Sequence, residues 1–399
     1  MEMITGSGGV TYAGGWKACG AFSGIKAAAA DLALVVSESP ATVAGVFTQN
    51  AVQAAPVRWC RDLVQRGTLQ AVVINSGCAN ACTGPEGVAA NRRVADDTGY
   101  ALGLPAEWVA VCSTGTIGKK LPVEKIAAAL PAAVQTLSED GGVSAAEAIM
   151  TTDTVPKEAA AHFSVGGKTV RVGGMAKGAG MIAPNLATML AFLTTDAAVP
   201  APALQACLRD AVAHSFNRIT IDGDTSTNDT VLLMANGASG VALDADHPDW
   251  PAFCEAVRLV ASELARLIVK DAEGATRFVT ITVKGAVDDA DALRIARAIA
   301  NSLLCKTAWF GGDPNWGRVV CAAGYAGARV DPDLIDVAFD ELTAVRAGQP
   351  VAAFSDLESI VARPAFEILL DLHLGEAEES VYTCDCSYDY VRINAEYMT

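Results

Sequence analysis

The amino-acid sequence predicts an α/β or α+β protein of two or three domains. Its 399 residues are enough to bury a large core, and a hydrophobic content of 51% with 19% charged residues is typical of a globular chain. Short apolar runs of strand type recur between stretches of helical periodicity. This mixture favours sheets that pack against helices.

Four strands and three helices are predicted in the first 215 residues. Apolar runs bounded by loops of small residues predict the strands, and helical periodicity predicts the helices. The strands are residues 70–75, 108–112, 168–174 and 189–196, and the helices are residues 122–138, about 144–150 and 203–215.

Helix and strand continue to alternate beyond the middle of the chain. Residues 251–272 carry apolar side chains at helical spacing, and Gly274 is expected to end that helix. Val279, Ile281 and Val283 then alternate with polar residues, which predicts a half-buried strand.

The last part of the chain has a different character. A helix fits residues 288–304, and a turn-rich loop at 310–318 follows it, with short strands and one helix near 355–363 beyond. This change places a soft boundary near residue 285. We expect a catalytic domain of residues 1–285 and a smaller domain of residues 286–399.

Charge and hydropathy exclude two classes of partner. The net charge is −16 and the pI is about 4.7, with no cluster of Lys and Arg, so binding to nucleic acid is not expected. No apolar run reaches the ~18–20 residues of a membrane helix. The first residues lack the features of a signal or transit peptide, which makes a cytoplasmic protein the default expectation.

The eleven cysteines are interpreted mainly as reduced core residues, because they occur singly in apolar surroundings. Two pairs are close in sequence, Cys78 with Cys82 and Cys384 with Cys386, but neither has the C-x-x-C spacing of a zinc site. The four histidines form no ligand pair. No metal is therefore expected.

The segment Gly178–Ala183 matches G-x-G-x-x-A, a pattern of dinucleotide-binding loops. Such a loop must lead into a helix whose N-terminus holds the pyrophosphate. Here Pro184 falls in the expected first turn and residues 189–196 have strand character. A second glycine loop at 115–120 is too short for a P-loop. Nucleotide binding is therefore not expected.

Thr188 offers a different chemistry. A threonine hydroxyl is a weak nucleophile unless a base takes its proton. If the chain is cut between Ala187 and Thr188, the new α-amino group lies beside that hydroxyl, and its ordinary pKa of roughly 7.7–8.0 suits a base near neutral pH. The alternative is a threonine that only begins a strand after a tight turn.

Nine motifs support the catalytic interpretation. They are GVFTQN (45–50), NSGCANACTG (75–84), STGTIG (113–118), IMTTDTVPK (149–157), KGAGMIAPNLATML (177–190), FNRITIDGDTSTND (216–229), DAEGATR (271–277), KTAWFGGDPNWGR (306–318) and CDCSYDYVRINAEYMT (384–399). In this order and over nearly the full length, they resemble the ornithine acetyltransferase family of arginine biosynthesis. Cys78, where the family more often has asparagine, and Cys386 are departures from the pattern.

The resemblance implies a self-cleaving enzyme. Cleavage between Ala187 and Thr188 would give an α chain of residues 1–187 and a β chain of residues 188–399, assembled as a heterotetramer of two α and two β chains. Thr188 would take the acetyl group from N-acetylornithine and pass it to glutamate. The implied fold is α/β with stacked sheets between helices, in the layering of N-terminal-nucleophile hydrolases, followed by a smaller C-terminal α+β domain. No cofactor is implied, although acetyl-CoA could be a second acetyl donor.

The resemblance also implies site residues. Thr114 and Gly115 would form the oxyanion hole, where the alternative is an ordinary turn at a strand end. Substrate contacts are implied for Thr151 or Thr152, Lys177, Thr188, Glu273, Asn394 and Thr399. Without the resemblance, Lys177 is interpreted as a solvated loop lysine, Glu273 as a charge in the last turn of a helix, and the C-terminal pair as part of a frayed tail.

Two other functions remain open from the sequence. A self-cleaving aminopeptidase or amidase would share Thr188 and the oxyanion loop, but would not need glutamate as acceptor. A binding protein without activity would stay uncut. The aspartates Asp222, Asp224 and Asp229 suggest a metal loop at first sight, but we interpret them as loop structure.

Overall fold

The computed structural model describes residues 2–5, 9–183 and 189–396, with only the backbone described for residues 2–5. Contacts between Cα atoms divide the chain into two compact units. The first unit holds the chain up to Asn217 and residues Asp224–Ile268, and the second holds Arg218–Gly223 and the chain from Val269. The domain division predicted at residue 285 stays a prediction.

The elements of the first unit are nine strands and six helices among the described residues. The strands are Glu2–Thr5 (β1), Trp16–Ala21 (β2), Leu32–Phe47 (β3), Thr68–Cys78 (β4), Val109–Thr116 (β5), Lys157–Val165 (β6), Lys168–Lys177 (β7), Leu190–Thr195 (β8) and Thr230–Ala235 (β9). The helices are Ala55–Arg66 (α1), Gly84–Leu102 (α2), Val123–Gln135 (α3), Gly142–Ala148 (α4), Ala201–Ala213 (α5) and Trp250–Lys270 (α6), of which the last two residues belong to the second unit.

One long strand joins the strands of the first unit into a single sheet. The order is β1-β6-β7-β8-β9-β3-β4-β5, with β2 also paired to β3. The pairing of β3 with β4 shifts register between Val36 and Ala41, and β3 pairs with β2 before this shift and with β9 after it. A shift of this kind bends a strand, so the two ends of β3 belong to different layers.

The two layers of the sheet face each other across a hydrophobic core. Val35 and Ile74 from the β2–β5 part join Phe192 and Met234 from the β8–β9 part in one buried cluster. The indole N–H of Trp16 in β2 also donates to the carbonyl oxygen of residue 195 in β8 at 3.3 Å. The two layers of the sheet are therefore stacked, as expected for this fold class.

Helices cover the outer face of each layer. Leu34 and Val111 pack with Ile126 of α3 in a second core. On the other side, a Cβ atom at Gly174 of β7 would lie 3.0 Å from Cδ1 of Leu264 in α6, so this helix packs directly on the strand. The resulting order of helix, sheet, sheet and helix confirms the predicted fold class.

The second unit is a smaller α+β structure. Its strands are Phe278–Ala286 (β10), Asp336–Phe339 (β11), Leu342–Arg346 (β12), Gln349–Pro350 (β13), Ala365–Asp371 (β14) and Ala377–Cys384 (β15). Its helices are Asp289–Ala300 (α7), Leu303–Phe310 (α8), Trp316–Gly324 (α9), Phe354–Val361 (α10) and Tyr388–Glu396 (α11). The sheet order is β13-β12-β11-β14-β10-β15, and residues from β10, β14 and α7 share one buried core.

Most predicted elements are confirmed, but two predictions in the second unit are wrong. The helix predicted at 288–304 is split into α7 and α8, because the Ser302 side chain caps α8 by accepting the N–H three residues later at 3.3 Å. The stretch 310–318 was expected to be a loop throughout. Helix α9 begins within it, where Asn315 accepts the N–H three residues later at 3.2 Å.

Residues 391–397 alternate in a strand-like way in the sequence, but this pattern is misleading. The described residues there belong to α11. Ser387 begins this helix, because its hydroxyl oxygen accepts the N–H of Tyr390 at 3.2 Å. The cap outweighs a weak two-residue pattern in a short exposed segment.

Two further expectations from the sequence concern the cysteines and the hydropathy. All eleven cysteines are free, and seven of them are buried, which confirms the interpretation as mainly core residues. Cys78 is among the buried ones, whereas Cys386 is only partly covered. In the described part of the chain, no helix has the length and apolar character needed to cross a membrane.

Candidate active site

Three predicted site residues from separate motifs meet in the first unit. Lys177 is the last residue of β7, Thr114 lies near the end of β5, and Thr151 lies in the turn after α4. The Lys177 ammonium donates to Thr151 Oγ1 at 2.7 Å and to Thr114 Oγ1 at 3.4 Å. Lys177 is only 3% exposed, so its interpretation as a solvated loop lysine is wrong.

Gly115 is required by the backbone beside it. Strands β4 and β5 are parallel, and their register shifts so that Cys78 opposes both Thr114 and Thr116. Gly115 has φ of +126°, and a Cβ atom there would lie 2.4 Å from the carbonyl carbon of Gly77. The glycine is thus explained by local geometry alone. The oxyanion role of Thr114 and Gly115 stays a prediction.

The structure distinguishes between the adjacent threonines Thr151 and Thr152. Thr151 supplies the hydroxyl that contacts Lys177, and its own N–H donates to Asp153 Oδ2 at 3.0 Å. Thr152 lies half-buried in the same turn. Thr151 is therefore the better placed of the two for a substrate contact beside Lys177.

Asp153 organises this cluster, although the sequence did not single it out. Its Oδ1 accepts from the Lys157 ammonium at 2.7 Å and from the N–H of Gly178 at 2.6 Å, and its Oδ2 lies 3.9 Å from the Lys177 nitrogen. Lys157 is completely buried. The signal available in the sequence was an acidic residue in the motif at 149–157, two positions after Thr151.

The charge state of Asp153 follows from these contacts. Burial alone would raise the pKa of this carboxyl group, but Lys177 and Lys157, together with the hydrogen bonds, outweigh burial and hold the pKa well below its usual value. Asp153 is therefore ionised at neutral pH. A fixed anion keeps the two lysines in place inside the protein.

A third lysine, also missed from the sequence, faces the same region. The Lys26 ammonium donates to the carbonyl oxygens of Met150 at 2.6 Å and Ala30 at 3.0 Å. Burial lowers the pKa of Lys26 and the positive charge of Lys177 lowers it further, whereas Asp31 and Asp153 act in the opposite direction. Two lysines therefore lie at this turn, one bonded to the Thr151 hydroxyl and one to the Met150 carbonyl oxygen, which suits a ligand that carries a carboxylate.

Asn228 holds the oxyanion candidates in position from behind. Its side-chain N–H groups donate to the carbonyl oxygens of Ala79 at 2.7 Å and Ser113 at 2.8 Å. The Ser113 hydroxyl in turn donates to Asn75 Oδ1 at 2.7 Å. These buried bonds fix the end of β5, and with it Thr114, against β4.

The predicted nucleophile lies outside the described residues, as does Ala187 before it. The first described residue after Thr188 is Met189, whose N–H donates to Asp229 Oδ1 at 3.0 Å. Among the described residues, no group of three or more His, Cys, Asp or Glu side chains is arranged to hold a metal ion. The expectation that the protein needs no cofactor stays a prediction.

Two further predicted contacts meet in the second unit. The Asn394 side chain in α11 donates to Glu273 Oε2 at 2.8 Å and to the carbonyl oxygen of Tyr390 at 3.0 Å. Glu273 lies in the turn after α6 rather than in its last turn. Helix α11 therefore orders Asn394, against the interpretation as part of a frayed tail, while Thr399 lies outside the described residues.

Comparisons with known proteins give consistent results. The model of the ArgJ family matches residues 17–399. The chain is 49% identical to the arginine biosynthesis bifunctional protein ArgJ of Symbiobacterium thermophilum, over 100% of both chains, and 49% identical to that of Geobacter sulfurreducens, over 92% of this chain and 95% of the relative. A crystal structure of ArgJ from Bacillus halodurans is 40% identical, with a TM-score of 0.50, and covers 52% of this chain and 98% of its own.

Proposed function

The chain belongs to the ArgJ family of bifunctional arginine biosynthesis enzymes, and from this premise we propose that it is a self-cleaving acetyltransferase. It moves an acetyl group from N-acetylornithine to glutamate through an acetyl ester on Thr188. The observation that carries the proposal is the meeting of Lys177, Thr151 and Thr114 at the end of β7. Thr188 lies in the part of the sequence between the end of β7 and the start of β8.

The first chemical step is acetyl transfer to the enzyme. The Thr188 α-amino group takes the proton of the Thr188 hydroxyl, and the oxygen attacks the acetyl carbonyl. The Thr114 hydroxyl and the Gly115 N–H donate to the oxyanion of the tetrahedral intermediate. The amide C–N bond then breaks, and the leaving ornithine amine takes the proton. An acetyl-Thr188 ester remains.

The second step reverses the first with another amine. The amino group of glutamate attacks the ester carbonyl, the same oxyanion donors act, and the Thr188 oxygen leaves and regains a proton. The bond broken in the first step and the bond formed in the second are both amides of α-amino acids. The exchange is therefore close to thermoneutral, and neither step needs a metal.

Charged side chains explain recognition of the substrates. Lys177 pairs with a substrate carboxylate, which a buried ammonium between two hydroxyls can bind with charge-assisted hydrogen bonds. Glu273 is a proposed contact for a substrate amine, and Asn394 orients it through the 2.8 Å hydrogen bond. Thr151, rather than Thr152, and Thr399 complete the proposed substrate contacts.

Self-cleavage before Thr188 has additional support. The Bacillus halodurans chain aligns over 98% of its own length to 52% of the present chain, so it is about half as long. Cleavage between Ala187 and Thr188 would produce two chains of about this size. We further propose that the enzyme is cytoplasmic and assembles as a heterotetramer of two α and two β chains.

The test is a two-substrate exchange assay. Purified wild-type enzyme with N-acetylornithine and glutamate should form N-acetylglutamate and ornithine in equal amounts, measured by mass spectrometry. Thr188→Ala should remain one chain on denaturing electrophoresis and form neither product. The wild type should give two chains, one beginning at Thr188. Release of acetate and ornithine without N-acetylglutamate would instead establish an amidase, and an uncut inactive wild type would favour a binding protein.

A second arm of the assay replaces N-acetylornithine with acetyl-CoA. The relatives are named as bifunctional proteins. We accordingly propose acetyl-CoA as a second donor. Formation of N-acetylglutamate from acetyl-CoA by the wild type supports this donor, and its absence under conditions where N-acetylornithine reacts would restrict the enzyme to the exchange.

A further inference from the structure

Lys26 is a half-buried cation whose hydrogen bonds all go to backbone oxygens. Its ammonium donates to the carbonyl oxygens of Met150 at 2.6 Å and Ala30 at 3.0 Å. An ammonium has three N–H donors. Among the described residues, the third donor has no acceptor and no carboxylate is within ion-pair distance. A cation that is partly removed from water without a counter-charge is costly, so its retention needs an explanation.

The acidic residue nearest to Lys26 in the sequence shapes the loop instead of pairing with the ammonium. Asp31 is completely buried. Its Oδ1 accepts the N–H of Ser23 at 2.6 Å, and its Oδ2 accepts the backbone N–H of Lys26 at 2.8 Å. These two bonds close the loop between β2 and β3. The Lys26 side chain therefore starts from a fixed backbone, which suits a residue that presents its charge at one place.

The carbon stem of Lys26 crosses the end of β4. A Cβ atom at Gly77 would lie 3.3 Å from Cγ of Lys26, so only a glycine leaves room for the stem there. Gly77 is in turn paired with Gly115 of β5, the residue after Thr114. Lys26 is thus in contact with the strand that supports the predicted oxyanion donors.

One turn connects Lys26 to Lys177. Lys26 donates to the carbonyl oxygen of Met150, and Lys177 donates to Oγ1 of the next residue, Thr151, at 2.7 Å. Bond lengths place these two acceptor oxygens at most about 5 Å apart. With the two hydrogen bonds added, the ammonium nitrogens are at most about 10 Å apart. The charge of Lys177 contributes to the lowered pKa of Lys26, as this proximity requires.

Glutamate has the charges to bridge such a pair of lysines, whereas N-acetylornithine has one carboxylate and an amine. Four bonds join the two carboxyl carbons of glutamate, which are therefore at most about 5 Å apart. With a carboxylate oxygen and a charge-assisted hydrogen bond at each end, glutamate can connect ammonium nitrogens roughly 10 Å apart. The upper limit set by the turn at 150–151 is thus within its reach.

We propose that Lys26 is a specificity-determining residue for the acetyl acceptor, whose ammonium binds the side-chain carboxylate of glutamate while Lys177 binds the α-carboxylate. This inference rests on the proposed function. The new bond uses the third N–H of Lys26 and supplies the counter-charge that the protein lacks at this place. The donor N-acetylornithine has no second carboxylate. Lys26 therefore acts on the half of the exchange in which glutamate takes the acetyl group.

The test compares glutamate with glutamine as acceptor in wild type and Lys26→Met. Glutamine has the shape of glutamate but a neutral side chain, and methionine keeps an unbranched stem without the charge. Lys26→Met should lower kcat/KM for glutamate by about 10–100-fold, mainly through KM, because a hydrogen bond between two charged groups is lost. The value for glutamine should change less than about 3-fold, since an amide gains little from the ammonium.

Two other variants control for charge and for general damage. Lys168→Met is the matched control, because the Lys168 ammonium also donates to a backbone carbonyl oxygen, that of Gly240 at 3.1 Å, but from the opposite end of β7. It should keep the wild-type values for both acceptors. Lys26→Arg retains a positive charge and should keep more of the preference for glutamate than Lys26→Met. All rates are measured on fully cut enzyme.

Several results would overturn the inference. A wild type that uses glutamine as readily as glutamate does so without any variant. A folded Lys26→Met enzyme with the wild-type preference also does so, as does an equal loss with both acceptors, because Lys26 would then only hold the turn in place. If Lys26→Met does not fold, inhibition of the wild type decides: glutarate should inhibit at least about 10-fold more strongly than its monoamide, and equal inhibition refutes the role. A wild type that forms no N-acetylglutamate would refute the proposed function itself.

Discussion

Replacing Asp153 by asparagine should destabilise the enzyme more than any ordinary surface change. Asparagine has the same size but no charge. Asp153 contacts the buried Lys157 ammonium at 2.7 Å and lies 3.9 Å from that of Lys177. Lys157 is completely buried and Lys177 nearly so, which leaves neither of them free to move its charge into water.

The size of the loss follows from these contacts. Removing one partner of a buried ion pair costs about 3–5 kcal/mol, because the other charge stays buried. For a folding unit of this size, each kcal/mol lowers Tm by roughly 2 °C. We therefore expect Asp153→Asn to lower Tm by about 6–10 °C at pH 7.

Asp196→Asn is a suitable control for this measurement. Asp196 is buried, but its partner Arg171 is 42% exposed at a distance of 3.6 Å. The guanidinium can be solvated when the charge of Asp196 is removed, so we expect a loss of less than about 2 kcal/mol. Calorimetry of the purified variants at one protein concentration measures both values. Equal Tm values for Asp153→Asn and the wild type, or equal losses in the two variants, would refute this reasoning.

The pH dependence of thermal stability tests the same interaction. The pKa of Asp153 is depressed in the folded protein, so its contribution to stability is complete above the unfolded pKa of about 3.9. It is lost as pH falls below that value towards the folded pKa. The difference in Tm between wild type and Asp153→Asn should thus be constant from pH 5 to pH 8 and shrink below about pH 4.

Three other changes test separate parts of the site. Thr114→Ala should lower kcat by about 10²–10³ in cut enzyme with little change in KM, as expected for a lost oxyanion donor, and an unchanged kcat would remove that role. Gly115→Ala should lower the free energy of unfolding in urea by more than about 2 kcal/mol, since φ is +126° and the new Cβ would lie 2.4 Å from the carbonyl carbon of Gly77. An unchanged free energy of unfolding would contradict the register shift described between β4 and β5. Deleting Tyr397–Thr399 should leave self-cleavage intact and raise KM for N-acetylornithine, glutamate or both, and unaltered values for both would return this segment to a dispensable tail.

The sequence was sufficient where local pattern and packing agree. The apolar runs that became β4, β5, β7 and β8 are buried along most of their length, so hydropathy alone located them. The motifs also pointed to Lys177, Thr114 and Thr151, which the fold brings together. Their meeting could not be read from spacing, because it depends on the pairing of strands that are far apart in sequence.

Capping decided several of the elements that the sequence predicted wrongly. Ser302 and Ser387 each begin a helix by accepting a backbone N–H. Serine is common in loops as well as at helix starts, and the periodicity after each one is short. Asn228 was missed for a related reason. Its two hydrogen bonds reach residues more than 100 positions away, and no local pattern indicates such a contact.

The two buried aspartates show most clearly what tertiary structure adds. Both are ordinary residues in motifs of threonine and aspartate, yet their pKa values are shifted in opposite directions. Asp153 bonds directly to a lysine ammonium, and its charge is fixed. Asp229 accepts the N–H of Met189 through one oxygen, and burial raises the pKa of its carboxyl group well above the usual value. A fixed anion suits the task of holding Lys177 for a substrate carboxylate.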